Sequence, residues 1–433
     1  MKQAGKLTRL VKRSPVANSI IIYAAAFAVA GATPFLLLPV LTRYLSPGEF
    51  GEVTSFLILV AVLGNMAGLS AHGFVSIRYF KSEVAKFKGI VSSAVLAVAT
   101  AHLLAATIVL LLFPQLSRVI GLPIGFALLA AFCALTVSLN TIFLALYQSS
   151  GQPVLYLKAR ALQGGVEITL CLGLLILATP DSGARIVSYC TAMAACAALG
   201  LVYCTQKNYI GKGANKTDIR GLLSFGLPML PHIAAGTAIT YLDRAMVSSM
   251  LGVDHLGIYM VAMQIALAMM VAIEPLNKAL APWLFAQLSL NDASIKRMVV
   301  RNTYFLYLAL AIIGAAIVFL SHLFFFDFIG MQYSAAKNLV GWIVLGFVFQ
   351  GMYYSVVNYL FFAEKTGRLS IMSTLTAVLG AALSYLLISA YGLVGAGISF
   401  AINNAVLFLL VWIAAARAVP MPWRLSRGGH GAH

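Results

Sequence analysis

Long apolar runs follow one another along the 433 residues, and nothing constrains the fold of this chain more. They cover about residues 18–41, 53–77, 90–113, 123–147, 159–179, 184–205, 222–249, 257–284, 302–321, 335–362, 369–390 and 393–416. A helix of about 20 mainly apolar residues crosses a bilayer core. In lipid, backbone groups find partners only within a helix or around a closed barrel, and barrel strands read as short alternating segments. The runs here are long and do not alternate. The expected class is therefore an all-α integral membrane protein with about 12 transmembrane helices. Only 9% of residues are charged, and the mean hydropathy is +0.94. A soluble domain carries roughly 25% charged residues, so soluble, disordered and disulfide-scaffold readings are excluded.

The net charge of +17 would suggest nucleic acid on a soluble chain. On a membrane chain it reports orientation instead. With the N-terminus in the cytoplasm, 23 of the 29 Lys and Arg residues fall on the cytoplasmic side. Arg43, Arg118, Arg185 and Lys337 fall opposite, and Arg244 and Lys278 lie within or at the edge of spans. Both termini are thus expected in the cytoplasm. Lys2, Lys6, Arg9, Lys12 and Arg13 precede the first run, and Ala28-Val29-Ala30 resembles a signal-peptidase site. The run continues to Leu41, past the about 7–15 residues of a signal core, so a retained first helix is expected. The five cysteines (Cys133, Cys171, Cys190, Cys196 and Cys204) lack C-x-x-C spacing and read as small apolar filler.

The chain echoes itself. Leu45 to Gly51 follows the first run and Leu251 to Gly257 the seventh, both with an L-[small]-x-x-x-[apolar]-G pattern. Gly151 follows the fourth run and Gly367 the tenth; Pro34 and Pro39 in the first match Pro228 and Pro231 in the seventh. Copies six helices apart share an orientation. That predicts a parallel repeat about an axis along the membrane normal, with two six-helix lobes (1–210 and 211–433) and a central site between them.

Charges within a membrane are costly and suggest function. Asp243 and Arg244 sit in the seventh run, and Glu274 and Lys278 in the eighth at i,i+4, on one helix face with Pro275 loosening the helix between them. Glu167 lies in the fifth run; Arg43 and Arg78 bracket the first two at opposite surfaces. The cations suit a phosphate in a watery cavity. Glu274, Asp243, Glu167 and His232 are the candidates for ion coupling. The competing reading is structural: mutual neutralisation of Glu274 and Lys278, helix pairing by the sequence neighbours Asp243 and Arg244, and snorkelling by Arg43 and Arg78. His72 and His102 read as packing. Gly211-Lys212-Gly213 lacks P-loop spacing, so ATP-driven transport finds no motif. Gly64-x-x-x-Gly68 suits close helix packing.

The ordered motifs resemble a known family. Leu37-Leu38-Pro39-Val40-Leu41-Thr42-Arg43-Tyr44-Leu45-Ser46-Pro47-Gly48-Glu49-Phe50-Gly51 resembles the first-helix signature of polysaccharide flippases. Ser224-Phe225-Gly226-Leu227-Pro228, Asp243-Arg244, Leu256-Gly257-Ile258-Tyr259, Lys365-Thr366 and Tyr391 to Ala396 fit as well. The chain resembles the oligosaccharide flippases, especially O-antigen flippases, of the multidrug/oligosaccharidyl-lipid/polysaccharide (MOP) exporter superfamily. The resemblance implies a V-shaped, two-lobed transporter working by alternating access. Its cargo would be an oligosaccharide on undecaprenyl diphosphate, moved to the periplasmic leaflet, with Arg43, Arg78, Arg244 and Lys278 lining or gating a cationic cavity. Arg43 and Asp243-Arg244 match the motifs; Lys278 rests on its charge and position alone. No cofactor is implied beyond a coupling proton or sodium ion. The implied partners are the lipid-linked glycan, the bilayer, a polysaccharide polymerase and a chain-length regulator. A cation-coupled multidrug exporter is the alternative reading, and a membrane O-antigen polymerase or ligase a lower one, since no large polar loop carries catalytic residues.

Overall fold

The computed structural model describes residues 15–423, apart from 212, 291 and 364. Among the described residues the chain is helical with no strand. It divides into two compact units, one ending at Tyr241 and one beginning at Leu242.

The first unit opens with α1 (Pro15–Tyr44) and α2 (Pro47–Ala67). Their connection explains the Leu45-Ser46-Pro47-Gly48-Glu49 motif. Ser46 accepts from the Glu49 amide, Glu49 accepts from the Ser46 amide at 2.8 Å, and Pro47 occupies the first turn. This is a reciprocal cap that satisfies two otherwise orphaned donors. The Leu251 to Gly257 segment, read from the sequence as its echo, shows no side-chain cap among the described residues; Gly252 starts its helix at φ 94°, a conformation that glycine adopts freely.

The expected second span is broken. After α2 the chain passes through Leu69 and Ser70, both left-handed at φ 50° and 51°, and re-enters a helix as α3 (Ala71–Lys81). Then come α4 (Val84–Leu111), α5 (Phe113–Ile120), α6 (Ile124–Ser149), α7 (Pro153–Leu177), α8 (Ser182–Gln206) and α9 (Lys216–Gly226). α6 forms the centre, packed by α2, α3, α4 and α8, while α7 joins α1 to α8. Helix α9 returns to α4, where Ser92 and Ser93 bond the backbone of Gly211 and Asn215. At its end, Gly226 meets the α2 break: a Cβ there would lie 2.3 Å from the Leu69 carbonyl oxygen.

Helix α10 (Leu230–Leu251) crosses the division between the units. The second unit continues with α11 (Val253–Ala266), α12 (Ala268–Ser289), α13 (Ala293–Leu323), α14 (Phe325–Phe328), α15 (Lys337–Phe362) and α16 (Thr366–Ala418). At 1.5 Å per residue, the 53 residues of α16 are too long for one crossing. Gly392, at φ 56° and ψ −136°, divides it into arms 366–391 and 393–418. The two arms fold back on each other, with Ser384 donating to Ser399 at 3.1 Å. Packed around α15 are α11, α12, α13 and the α16 arms.

Among the described residues, nine helices are long and apolar enough to cross a membrane, or ten if the bent pair Val253–Ala266 and Ala268–Asn277 counts as one span. Three places separate this from twelve runs. α16 reads as one helix across Gly392; α10 is diluted by Asp243, Arg244, glycine and hydroxyl residues; and the eighth run bends by 46° between its two helices. That bend falls at Leu267 and not at Pro275, through which the helix continues. Large apolar side chains such as Leu103, Leu111, Leu177, Val271 and Ile371 are at least 70% exposed. They suit a lipid-facing surface, since an aqueous one carries few such contiguous patches.

Candidate functional site

In the second unit, α10 and α11 build a small charged cluster. Asp243 Oδ2 accepts from Tyr259 Oη at 2.8 Å, and Asp243 Oδ1 accepts from the Arg244 amide at 2.8 Å. Arg244 Nη1 lies 3.4 Å from the same Oδ1. Tyr259 is fully buried, while the Arg244 and Asp243 side chains are 14% and 17% exposed. Adjacent residues on a helix point about 100° apart, so pairing with other helices was the structural expectation. The long guanidinium stem instead folds back toward Asp243. Tyr259 was legible as the end of the Leu256-Gly257-Ile258-Tyr259 motif, with no role attached; its packing from α11 onto α10 makes it the partner of Asp243. The cluster holds a cation in a mostly buried setting with its counter-charge fixed. An Arg so placed can present donors to an oxyanion.

In the first unit, Glu167 of α7 forms a buried ion pair with Arg185 of α8, Oε1 to Nη2 at 2.6 Å. Arg185, read from the sequence as an outer-surface charge, is thus turned inward. Its Nη1 has no hydrogen-bond partner among the described residues, and its guanidinium lies 5.8 Å from the Tyr189 ring centre. Close by in sequence, Ser182 donates to Glu52 of α2 at 2.6 Å.

The other predicted residues scatter. Arg43 is exposed in the last turn of α1, beside the start of α2. Arg78 is exposed toward the end of α3, its guanidinium 5.2 Å from the Phe74 ring centre. In the chain the two flank the α2–α3 segment, Arg43 before α2 and Arg78 near the end of α3. Glu274 is exposed on α12 and near Tyr354 of α15. Three residues on, Asn277 accepts from Asn358 at 3.3 Å. The side chains of Lys278 and His232 lie outside the described residues.

Residues 16–289 match the family model described as polysaccharide biosynthesis protein. The chain belongs to this family. An uncharacterized membrane protein of Haemophilus influenzae is 26% identical over 365 residues, 83% of this chain and 87% of the relative. The Lsg locus putative protein 1 of the same organism is 26% identical over 162 residues, 36% of this chain and 39% of its own length. Among solved structures, the lipid II flippase MurJ in an inward closed conformation superposes with a TM-score of 0.70 at 15% identity, covering 91% of this chain and 87% of MurJ. An inward-facing multidrug resistance MATE family transporter of the MOP superfamily gives 0.65 at 15% identity, covering 92% and 94%. The resemblance to polysaccharide proteins read from the motifs is borne out by the family match, and the fold is one shared with MurJ and MATE proteins.

Proposed function

We propose that this polysaccharide biosynthesis family member is a flippase. It carries an oligosaccharide linked to undecaprenyl diphosphate, such as an O-antigen repeat unit, from the cytoplasmic to the periplasmic leaflet of the inner membrane. A glycan and a diphosphate cannot cross hydrocarbon unaided, because stripping water from charges and hydroxyls is prohibitive. A cationic, water-filled path would replace that hydration while the polyprenyl chain stays in lipid. The observation that carries this reading is Arg244 in α10, paired with Asp243, whose other carboxylate oxygen accepts from Tyr259. Arg43, Arg78 and Lys278 are proposed as further cations along the path. Twelve spans in two six-helix lobes, cytoplasmic termini and alternating access belong to the same proposal, as does coupling to a proton or sodium gradient. Product would pass to a polymerase working with a chain-length regulator.

A multidrug exporter is the second reading, favoured by the MATE likeness in fold. An organic cation would call for an uncompensated acid, whereas Asp243 already accepts from Tyr259 and Arg244. Proteoliposomes carrying a fluorescent undecaprenyl-diphosphate oligosaccharide test the choice. Leaflet transfer that Arg244→Ala abolishes supports the flippase; transfer of organic cations with none of the lipid-linked glycan overturns it.

A further inference from the structure

His102 has a hydrogen-bond partner at each ring nitrogen. It lies in α4 with only 3% of its surface exposed. Nδ1 is 2.9 Å from the Val98 carbonyl oxygen one turn back. A carbonyl only accepts, so Nδ1 carries a hydrogen. Nε2 is 3.2 Å from Ser138 Oγ of α6, and the Ala134 carbonyl of α6 also lies within reach of the ring. In the neutral ring Nε2 is a lone pair, and the Ser138 hydroxyl donates to it. In the imidazolium Nε2 becomes a donor, and Ser138 or Ala134 accepts. The Ser138 hydrogen then has a second destination, the Gly64 carbonyl of α2, 3.4 Å from Oγ. Both protonation states are satisfied by rotating one hydroxyl.

The Gly64 carbonyl is also where α2 ends. It accepts from the Gly68 amide at 3.0 Å, immediately before the left-handed pair Leu69 and Ser70. Left-handed non-glycine residues are strained, so this break is held by its surroundings. Packing is close as well: a Cβ on Gly68 would lie 3.3 Å from Ser138 Oγ. The Gly64 carbonyl, with two lone pairs, takes a Ser138 hydrogen beside the last bond of α2.

Charges on the elements packed against α4 are held elsewhere. On α4 itself, Lys86 pairs with Glu83 and Lys88 bonds Asn208. From α2, Glu49 caps its own helix and Glu52 accepts from Ser182. From α3, His72, Arg78 and Lys81 are exposed, and Tyr79 packs on Phe87. From α6, Cys133 faces Cys190 and Tyr147 packs edge-on against Tyr203. From α9, Asp218 bonds Asn215, while Lys216 and Arg220 are exposed. The side chain of Arg118 on α5 lies outside the described residues.

We propose that His102 is a proton-binding site of the transport cycle, and that Ser138 relays its occupancy to the Gly64 carbonyl at the break in α2. The role in transport rests on the flippase reading above; the proton site does not. The first experiment uses full-length protein in nanodiscs with ¹⁵N-labelled histidine and needs no substrate. An imidazolium signal from His102 forming between about pH 5 and 8, and shifted in Ser138→Ala, supports the site. A ring neutral throughout that range overturns it. The second uses proteoliposomes and the lipid-linked glycan. His102→Gln, which keeps an amide donor and acceptor but does not titrate, should fold with an unchanged thermal midpoint and lose at least tenfold of the stimulation by an imposed pH gradient. Stimulation equal to wild type in His102→Gln overturns the coupling role. Absence of any glycan transfer by wild type removes the transport role together with the flippase reading and leaves the ¹⁵N titration to decide the proton site.

Discussion

Glu167 Oε1 and Arg185 Nη2 stand 2.6 Å apart in the first unit, with side chains 4% and 6% exposed. Breaking such a pair from one side strands the other charge, at about 3–5 kcal/mol. Glu167→Gln should therefore lower the thermal midpoint in detergent markedly. Glu167→Leu combined with Arg185→Met should recover most of it, because two apolar groups of similar volume need no partner. A stable Glu167→Gln variant that has lost only its ion dependence would reassign Glu167 from structure to coupling.

Arg244 is the cation whose environment is built. Arg244→Ala should reduce glycan transfer at least tenfold, in line with about 1.5–3 kcal/mol for a charge-assisted bond. Arg244→Lys should recover only part, since a point charge lacks the planar fork. Tyr259→Phe removes the bond to Asp243 and should give an intermediate loss. Transfer rates at equal protein level in proteoliposomes check all three.

Gly226 explains one motif glycine by contact. Because a Cβ would meet the Leu69 carbonyl at 2.3 Å, Gly226→Ala must push α9 away from the α2 break. Overpacking of this kind costs about 1–3 kcal/mol. The expected outcome is a lower thermal midpoint; a midpoint equal to wild type would mean the two segments separate freely.

Ala214, exposed between α8 and α9, tests orientation. In a cysteine-free background, Ala214→Cys should react with an impermeant maleimide only after the cells are opened. Thr179→Cys, exposed between α7 and α8, should react in intact cells. The reverse pattern would invert the topology.

Asp292 gives an acid-dependent local effect. The Ser294 hydroxyl, then the Ile295 and Ser294 amides, donate to its carboxylate and hold its pKa below the ordinary 3.8. A lowered folded value stabilises the first turn of α13 above the unfolded value and is lost as pH falls through the folded one. Protection of the first-turn amides should therefore decline below about pH 3.8. Asp292→Asn, which does not ionise, should show no such decline.

The runs, their helical class and the family motifs were readable in the chain because a bilayer forces each segment to satisfy its own backbone bonds locally. The interruption at Gly392 was readable too, falling between two apolar runs. The break at Leu69 and Ser70 was not. Neither residue favours a left-handed backbone, and what holds them there includes Gly226, distant in sequence. Arg185 illustrates the same limit. Its charge counted toward one membrane face, but only packing of α7 beside α8 reveals Glu167 within 2.6 Å. His102 read as a packing residue because its acceptors come from its own previous turn and from α6. Sequence by itself determined where helices can lie, since solvent preference acts residue by residue. Tertiary structure decided which charges are paired and which histidine finds partners at both ring nitrogens, since hydrogen bonds need partners placed within about 3 Å.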